Sequence, residues 1–216
     1  MQQKLNDIKR YLREIKFSII FGEGMITLEN NLKEFDNKVP FLFGKSHQRK
    51  RNMYIKQMKE LDGVLTGSAA LSMYRINGVQ IFKRYPNDLD FMVSRDNFMK
   101  FCGMNDFTNV KYTNQVVSLD FYTGKDRGED SYGYHRGYRF YTDFDVIGTD
   151  DEIKYEMVGD LKVAKLMDII NYKLYLIDKY MMDITNRDAE REVKKHINDL
   201  FMIVTIISAN ESKTIK

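Results

Sequence analysis

Along the first sixty residues apolar side chains recur at helical spacing, first Leu5, Ile8, Leu12 and Ile15, later Tyr54, Met58 and Leu61. This predicts a mostly helical region, interrupted at Pro40. At Val64 the pattern changes. A short run to Thr66 meets Gly67 and Ser68, then Ala69, Ala70, Leu71, Met73, Tyr74 and Ile76 follow, and Asn77 and Gly78 close the segment. The expected order is strand, turn and helix, with Asn77 and Gly78 as the helix stop.

After a turn around Tyr85, Pro86 and Asn87, the side chains alternate from Asp88 to Val93. Leu89, Phe91 and Val93 share one face of a predicted strand, and Asp88, Asp90 and Met92 share the other, so both carboxylates point the same way. Ser94 and Asp96 begin a predicted helix carrying Phe98 and Phe101. A second alternating strand runs from Val116 to Tyr122, with Val117, Leu119 and Phe121 opposing Ser118, Asp120 and Tyr122. Residues 123–137 hold four glycines and many charges, the composition of a loop. A third alternating segment, Tyr138 to Ile147, sets Phe140, Phe144 and Val146 against Arg139, Tyr141, Asp143 and Asp145. Past Asp160, read as an N-cap, the spacing of Val163, Met167, Ile170, Leu174, Ile177 and Met181 predicts one long helix. A second helix carries Val193, Ile197, Leu200, Phe201 and Val204. The predicted class is α/β of the α+β kind: residues 1–61 form a helical arm, residues 62–150 a small mixed sheet flanked by helices, and residues 151–216 a helical lobe.

Composition narrows the chemistry. No run approaches the roughly 18 apolar residues that a membrane helix needs, so no membrane role is expected. The N-terminus mixes Lys4, Asp7, Lys9 and Arg10 with Leu5 and Ile8, which lacks the apolar core of a secretory signal. One cysteine, Cys102, excludes an internal disulfide framework, and three histidines leave no Cys/His zinc cluster. A cytoplasmic location follows as the expectation. The net charge of +3 is too small to argue for nucleic-acid binding by itself, and the densest basic run, Lys45, His47, Arg49, Lys50 and Arg51, reads as a solvated loop and helix start or as a phosphate or RNA contact.

Two carboxylates at i and i+2 on one strand face, downstream of a Gly-Ser turn, suit one kind of reaction. Mg²⁺ takes oxygen ligands and shares them between carboxylates and substrate phosphates, which Asp88 and Asp90 could supply on the protein side. At the turn, Gly67 lets the backbone approach a phosphate, Ser68 adds a hydroxyl donor, and the following helix offers free N–H groups. A third acid beside the first two would admit a second metal and activate an attacking hydroxyl. Asp120 is the candidate, with Asp143 and Asp145 on the next strand as the alternatives.

The runs Thr66-Gly67-Ser68-Ala69-Ala70-Leu71 and Asn87-Asp88-Leu89-Asp90-Phe91 resemble the first motif of the polymerase-β-type nucleotidyltransferase superfamily, most closely its AbiEii type, the toxin half of a bacterial abortive-infection (type IV) toxin–antitoxin system. Asp160-Leu161-Lys162-Val163-Ala164-Lys165-Leu166 is similar to the family segment that supplies a phosphate-binding lysine, and Lys195-His196-Ile197-Asn198-Asp199-Leu200 to its closing Lys-Asp-x-x-Asp-Leu stretch, with His196 where the family has an acid. The likeness spans about residues 60 to 205.

The resemblance implies a minimal nucleotidyltransferase fold that moves a nucleoside monophosphate from NTP to an acceptor hydroxyl on RNA, a protein or a small molecule, with Mg²⁺ or Mn²⁺ as cofactor. It places Gly67, Ser68, Lys165 and Asp199 at the nucleotide and Asp88, Asp90 and an acid such as Asp120 at the metal. A cognate antitoxin or an assembly partner in a bacterial or phage-infected cell would accompany such a toxin. The alternative is an inactive nucleotide-binding or structural module of a phage or mobile-element assembly, suggested by the unmatched helical arm, His196 and the basic cluster near Arg49.

Overall fold

The computed structural model describes residues 2–14, 26–29, 45–82, 86, 88–105, 116–120, 134–135, 138–139, 143–182 and 187–214. It is a mixed α and β protein, and its chain divides into two compact units. One gathers residues 30–70 and 85–165. The other gathers residues 1–29, 71–84 and 166–216.

The first unit is built on a six-stranded mixed sheet. Its strands are β2 (Val64–Thr66), β5 (Asp88–Ser94), β6 (Val116–Asp120), β9 (Asp143–Thr149), β10 (Tyr155–Val158) and β11 (Leu161–Ala164), in the order β10-β11-β2-β5-β9-β6. β11 runs parallel to β2 and β5 parallel to β9, while the other neighbours are antiparallel. A separate two-stranded ladder joins β7 (Tyr134–His135) to β8 (Tyr138–Arg139).

Strand alternation sorts the sheet into an apolar face and a polar one. Leu65, Leu89, Phe91, Val93, Phe144, Val146 and Val163 are buried on the apolar face. Two helices of the same unit, α2 (Lys45–Glu60) and α4 (Arg95–Met104), supply aromatic partners. Tyr54 meets Phe101 edge-on with centroids 5.9 Å apart and Phe144 at 5.5 Å, and Phe91 stacks on Phe144 at 5.1 Å. Burial pushes the Tyr54 phenol above its ordinary pKa, which keeps it neutral in this core. Gly148 lets α4 approach β9, because a Cβ there would come within 3.0 Å of Phe98 Cγ. Helix α4 begins where the sequence predicts, with Ser94 as an N-cap whose hydroxyl accepts from the Asn97 N–H at 3.3 Å, a contact of about 1 kcal/mol for such caps. Cys102 is buried here.

The second unit pairs a three-stranded sheet, β1 (Ile26–Leu28), β3 (Tyr74–Ile76) and β4 (Val79–Gln80), with three helices: α1 (Gln2–Glu14), α5 (Leu166–Met182) and α6 (Arg187–Thr214). Of the predicted helix faces, Ile170 and Ile177 of α5 and Val193, Ile197, Leu200 and Val204 of α6 are buried; Met167, Leu174 and Met181 are half-buried and Phe201 is exposed, and Ile169 and Ile203 complete the buried faces instead. Lys4 and Lys9 of α1 reach Asn198 at 3.0 Å and Asp178 at 2.8 Å. Helix α3 (Gly67–Met73) crosses the division between the units in sequence. Among the described residues, no helix is long and apolar enough to cross a membrane.

Five segments differ from the sequence expectation. Tyr74–Ile76 is not the end of a helix but strand β3, and the Asn77-Gly78 pair is a hairpin turn rather than a helix stop. Both turn residues have positive φ, 50° and 76°, the backbone that a type I′ turn requires and that Asn and Gly adopt most readily. Leu161–Ala164 is likewise a strand, so α5 starts later than expected, at Leu166. Asp160, expected as an N-cap, sits in the Gly159-Asp160 turn of the β10–β11 hairpin and accepts from Lys59 Nζ at 2.7 Å. That ammonium, by hydrogen bond first and charge second, holds the Asp160 carboxyl below the usual range. Within the predicted helical arm, Ile26–Leu28 forms β1, paired with β3. Tyr134–His135, inside the loop predicted at 123–137, forms β7, and Tyr155–Val158, inside the predicted helical lobe, forms β10. The rest of that loop, the basic side chains of 45–51, and Pro40, Tyr85, Asn87, Phe121, Tyr122, Phe140 and Tyr141 lie outside the described residues.

Candidate functional site

β2 ends at Thr66, whose ladder partner on β5 is Asp90. The next residue must turn the chain into α3, and Gly67 does so with φ +64°. This is a left-handed conformation that costs an L-residue with a Cβ about 1–2 kcal/mol. Space adds a second restriction. A Cβ on Gly67 would overlap Asp90 Oδ2 outright and come to 2.9 Å from its Cγ and 3.2 Å from its Cβ. Backbone and carboxylate are therefore in direct apposition at this turn, and Ser68, the next residue, is buried.

The register of β5, β9 and β6 settles how the acidic positions stand to one another. Asp88 pairs with Asp143, and Asp143 with Asp120; one step along, Asp90 pairs with Asp145, and Asp145 with Ser118. Ladder partners share a sheet face, so all five acids occupy the face opposite Phe91 and Phe144. Asp88, Asp143 and Asp120 form one row, with Cα positions about 4.8 Å apart from strand to strand. The side chains of Asp88, Asp120 and Asp143 lie outside the described residues. Asp90 and Asp145 are half-buried, and Asp145 keeps Oδ1 away from solvent. Among the described residues, no group of three His, Cys, Asp or Glu side chains stands ready to hold a metal.

Like charges on adjacent positions of one face repel, and no Lys or Arg occupies either row. The described carboxylates of this face, Asp90 and Asp145, are oxygen donors of the kind that a hard divalent cation such as Mg²⁺ takes from a protein. The glycine turn against Asp90 leaves backbone, not side chain, beside the carboxylate. The sequence left the third acid open between Asp120 and Asp143 or Asp145; the register makes Asp143 the shared neighbour of Asp88 and Asp120.

Two predicted site residues remain, Lys165 and Asp199. Lys165 links β11 to α5 rather than lying on a helix; its N–H donates to the Lys154 carbonyl at 3.3 Å and its side chain is exposed. Asp199 belongs to the helical unit. It is 1% exposed and accepts from Lys173 Nζ at 3.0 Å, with Lys173 itself 3% exposed. Both ions are thus held inside the α5–α6 pair, where an unpaired charge would be costly. Sequence reasoning missed Lys173, whose signal was its place on the apolar stripe of Ile169, Ile170 and Ile177. His196 is buried as well, not at the surface, with its ring lying 6.4 Å from that of Tyr180 at 12°. Compared with models of protein families and with curated proteins, the chain matches none.

Proposed function

We propose that this protein is a divalent-metal-dependent nucleotidyltransferase that moves a nucleoside monophosphate from an NTP to an acceptor hydroxyl. The observation that carries the reading is the apposition of Gly67 to Asp90 at the head of two rows of acids. A phosphate tail needs backbone that approaches closely, and its metal needs carboxylate oxygens; here the two are neighbours. The motif likeness to AbiEii-type enzymes supports the same reading.

In this account Asp88 and Asp90 hold the metal, with Asp120 or Asp143 as the third acid. A bound Mg²⁺ supplies charge neutralisation at the phosphates and acidifies the acceptor hydroxyl. Gly67 and Ser68 position the triphosphate, and Lys165, exposed at the end of β11, offers a cation to it. The acceptor hydroxyl gives its proton to the third acid, its oxygen forms a bond to the α-phosphorus as the bond to the bridging oxygen breaks, and pyrophosphate leaves with that electron pair. Asp199 receives no nucleotide role, since its carboxylate is held by Lys173. Such an enzyme would work in the cytoplasm, where NTPs and RNA or protein acceptors are present, and a toxin of this kind would be held in check by an antitoxin.

The test is incubation with labelled NTPs, Mg²⁺ and cell extract, comparing wild type with Asp90→Asn. Transfer of label by the wild type alone is the expected result; equal labelling by both would remove the assignment. One observation favours the alternative, an inactive nucleotide-binding module: the positions resembling the closing family stretch, His196 and Asp199, serve internal packing. Calorimetric titration distinguishes it, because Mg²⁺-dependent NTP binding without transfer to any acceptor identifies the inactive module.

A further inference from the structure

β10 forms one border of the six-stranded sheet. β11 pairs with it on one side, and among the described residues no strand pairs with it on the other. Border strands in monomers are ordinarily protected by proline, bulges or inward charges. β10 is short and carries the exposed charges of Lys154 and Glu156, but it has no proline and no bulge: Tyr155 to Val158 pair one-to-one with Ala164 to Leu161, and Tyr155 and Met157 are 41% and 54% exposed.

Its backbone parity is fixed. The Lys165 N–H donates to the Lys154 carbonyl, and in an antiparallel ladder alternate residues bond the same neighbour. The amides of Lys154, Glu156 and Val158 therefore face β11, and those of Ile153, Tyr155 and Met157 face outward.

We propose that β10 pairs antiparallel with β10 of a second copy of the chain, about a two-fold axis at Tyr155. Such an axis demands a self-complementary register, in which each residue meets its counterpart reciprocally. Centred on Tyr155, the outward-facing residues meet one another: Tyr155 faces Tyr155 of the second copy, and Ile153 faces Met157 twice. The same register sets Lys154 opposite Glu156 twice, so both cross-strand charge pairs are attractive. Other centres fail. An axis at Glu156 opposes that carboxylate to itself and sets Lys154 against Val158, so it adds a repulsion and loses both attractive charge pairs. An axis at Ile153 sets Asp150 against Glu156, and an axis at Met157 runs into the Gly159 turn. The pairing joins two six-stranded sheets into one and covers the apolar faces of Tyr155 and Met157. A single added strand pair is a small interface, which corresponds to a weak dimer.

Sedimentation equilibrium of the full chain over a range of about 1–300 µM, spanning the weak affinities of small interfaces, tests this. The wild-type mass should rise toward twice the 25.6 kDa of one chain. Lys154→Glu and Glu156→Lys each create two like-charge pairs and should weaken association about tenfold; the double exchange restores both attractions and should recover it. Met157→Pro removes an outward N–H and should abolish the dimer while the melting curve stays that of a folded chain, since proline is tolerated at an outward border position. A wild type that stays at 25.6 kDa throughout overturns the proposal, as does a dimer whose two single reversals or whose double exchange behave otherwise.

Discussion

Replacing Gly67 with alanine examines the turn at the centre of the candidate site. Two separable costs follow from the geometry. The first is the backbone at φ +64°, about 1–2 kcal/mol for any residue with a Cβ. The second is overlap with the Asp90 carboxylate, whose Cγ would lie 2.9 Å from the new methyl. Moving a short side chain out of a packed site costs about 1–3 kcal/mol. Together these give about 2–5 kcal/mol, or about 4–20 °C in Tm for a chain of this size. The terms separate in a double-mutant cycle. Asp90→Ala deletes the carboxylate and leaves only its Cβ, 3.2 Å from the added methyl. Gly67→Ala should then cost little beyond the backbone term, so the two substitutions should couple by about 1–3 kcal/mol. Urea unfolding of the four proteins measures this directly. Additivity within about 0.5 kcal/mol would refute the claim that Gly67 and Asp90 are in apposition.

Two further outcomes are expected. Lys173→Met should destabilise the chain by about 3–5 kcal/mol, because it strands the buried Asp199 carboxylate; adding Asp199→Leu should recover most of that loss in the same chemical-denaturation assay. For Tyr54, whose folded pKa lies above 10.0 through burial, the folded state keeps its proton when the unfolded state releases it. Its contribution is therefore intact below pH 10.0 and lost as pH rises past that value toward the folded pKa. The urea midpoint should fall less steeply between about pH 9.5 and 11.5 in Tyr54→Phe than in the wild type, and equal slopes would exclude the burial argument.

Much of the strand and helix pattern around the site was legible because local chemistry and tertiary packing agree there. Ser94 caps α4 as its side chain suggests, and β5 alternates as its residues do. Legibility failed where an apolar residue satisfies two periods at once. Val163 lies three to four residues from later helix positions and two from Leu161, and pairing with β10 and β2 decides for the strand. Asn77-Gly78 carried its own signal, a type I′ pair, but the preceding Ala69 to Met73 drew Tyr74 and Ile76 into a helical reading. The third acid could not be read from sequence at all. Whether Asp120 or Asp143 adjoins Asp88 depends on β9 lying between β5 and β6, which is a matter of long-range strand order.

The helical unit is assembled from three separate stretches of chain, 1–29, 71–84 and 166–216, with the sheet unit threaded between them. Dissection by truncation is therefore ill-suited to this protein. A fragment ending at residue 165 would strip α1 of its bonds from Lys4 and Lys9 to α6 and α5, and a fragment beginning at residue 30 would take away β1, the partner of β3. Boundaries for expression or domain grafting belong at folded joins rather than at either of those cuts, and proteolytic nicking is better followed with both halves kept together.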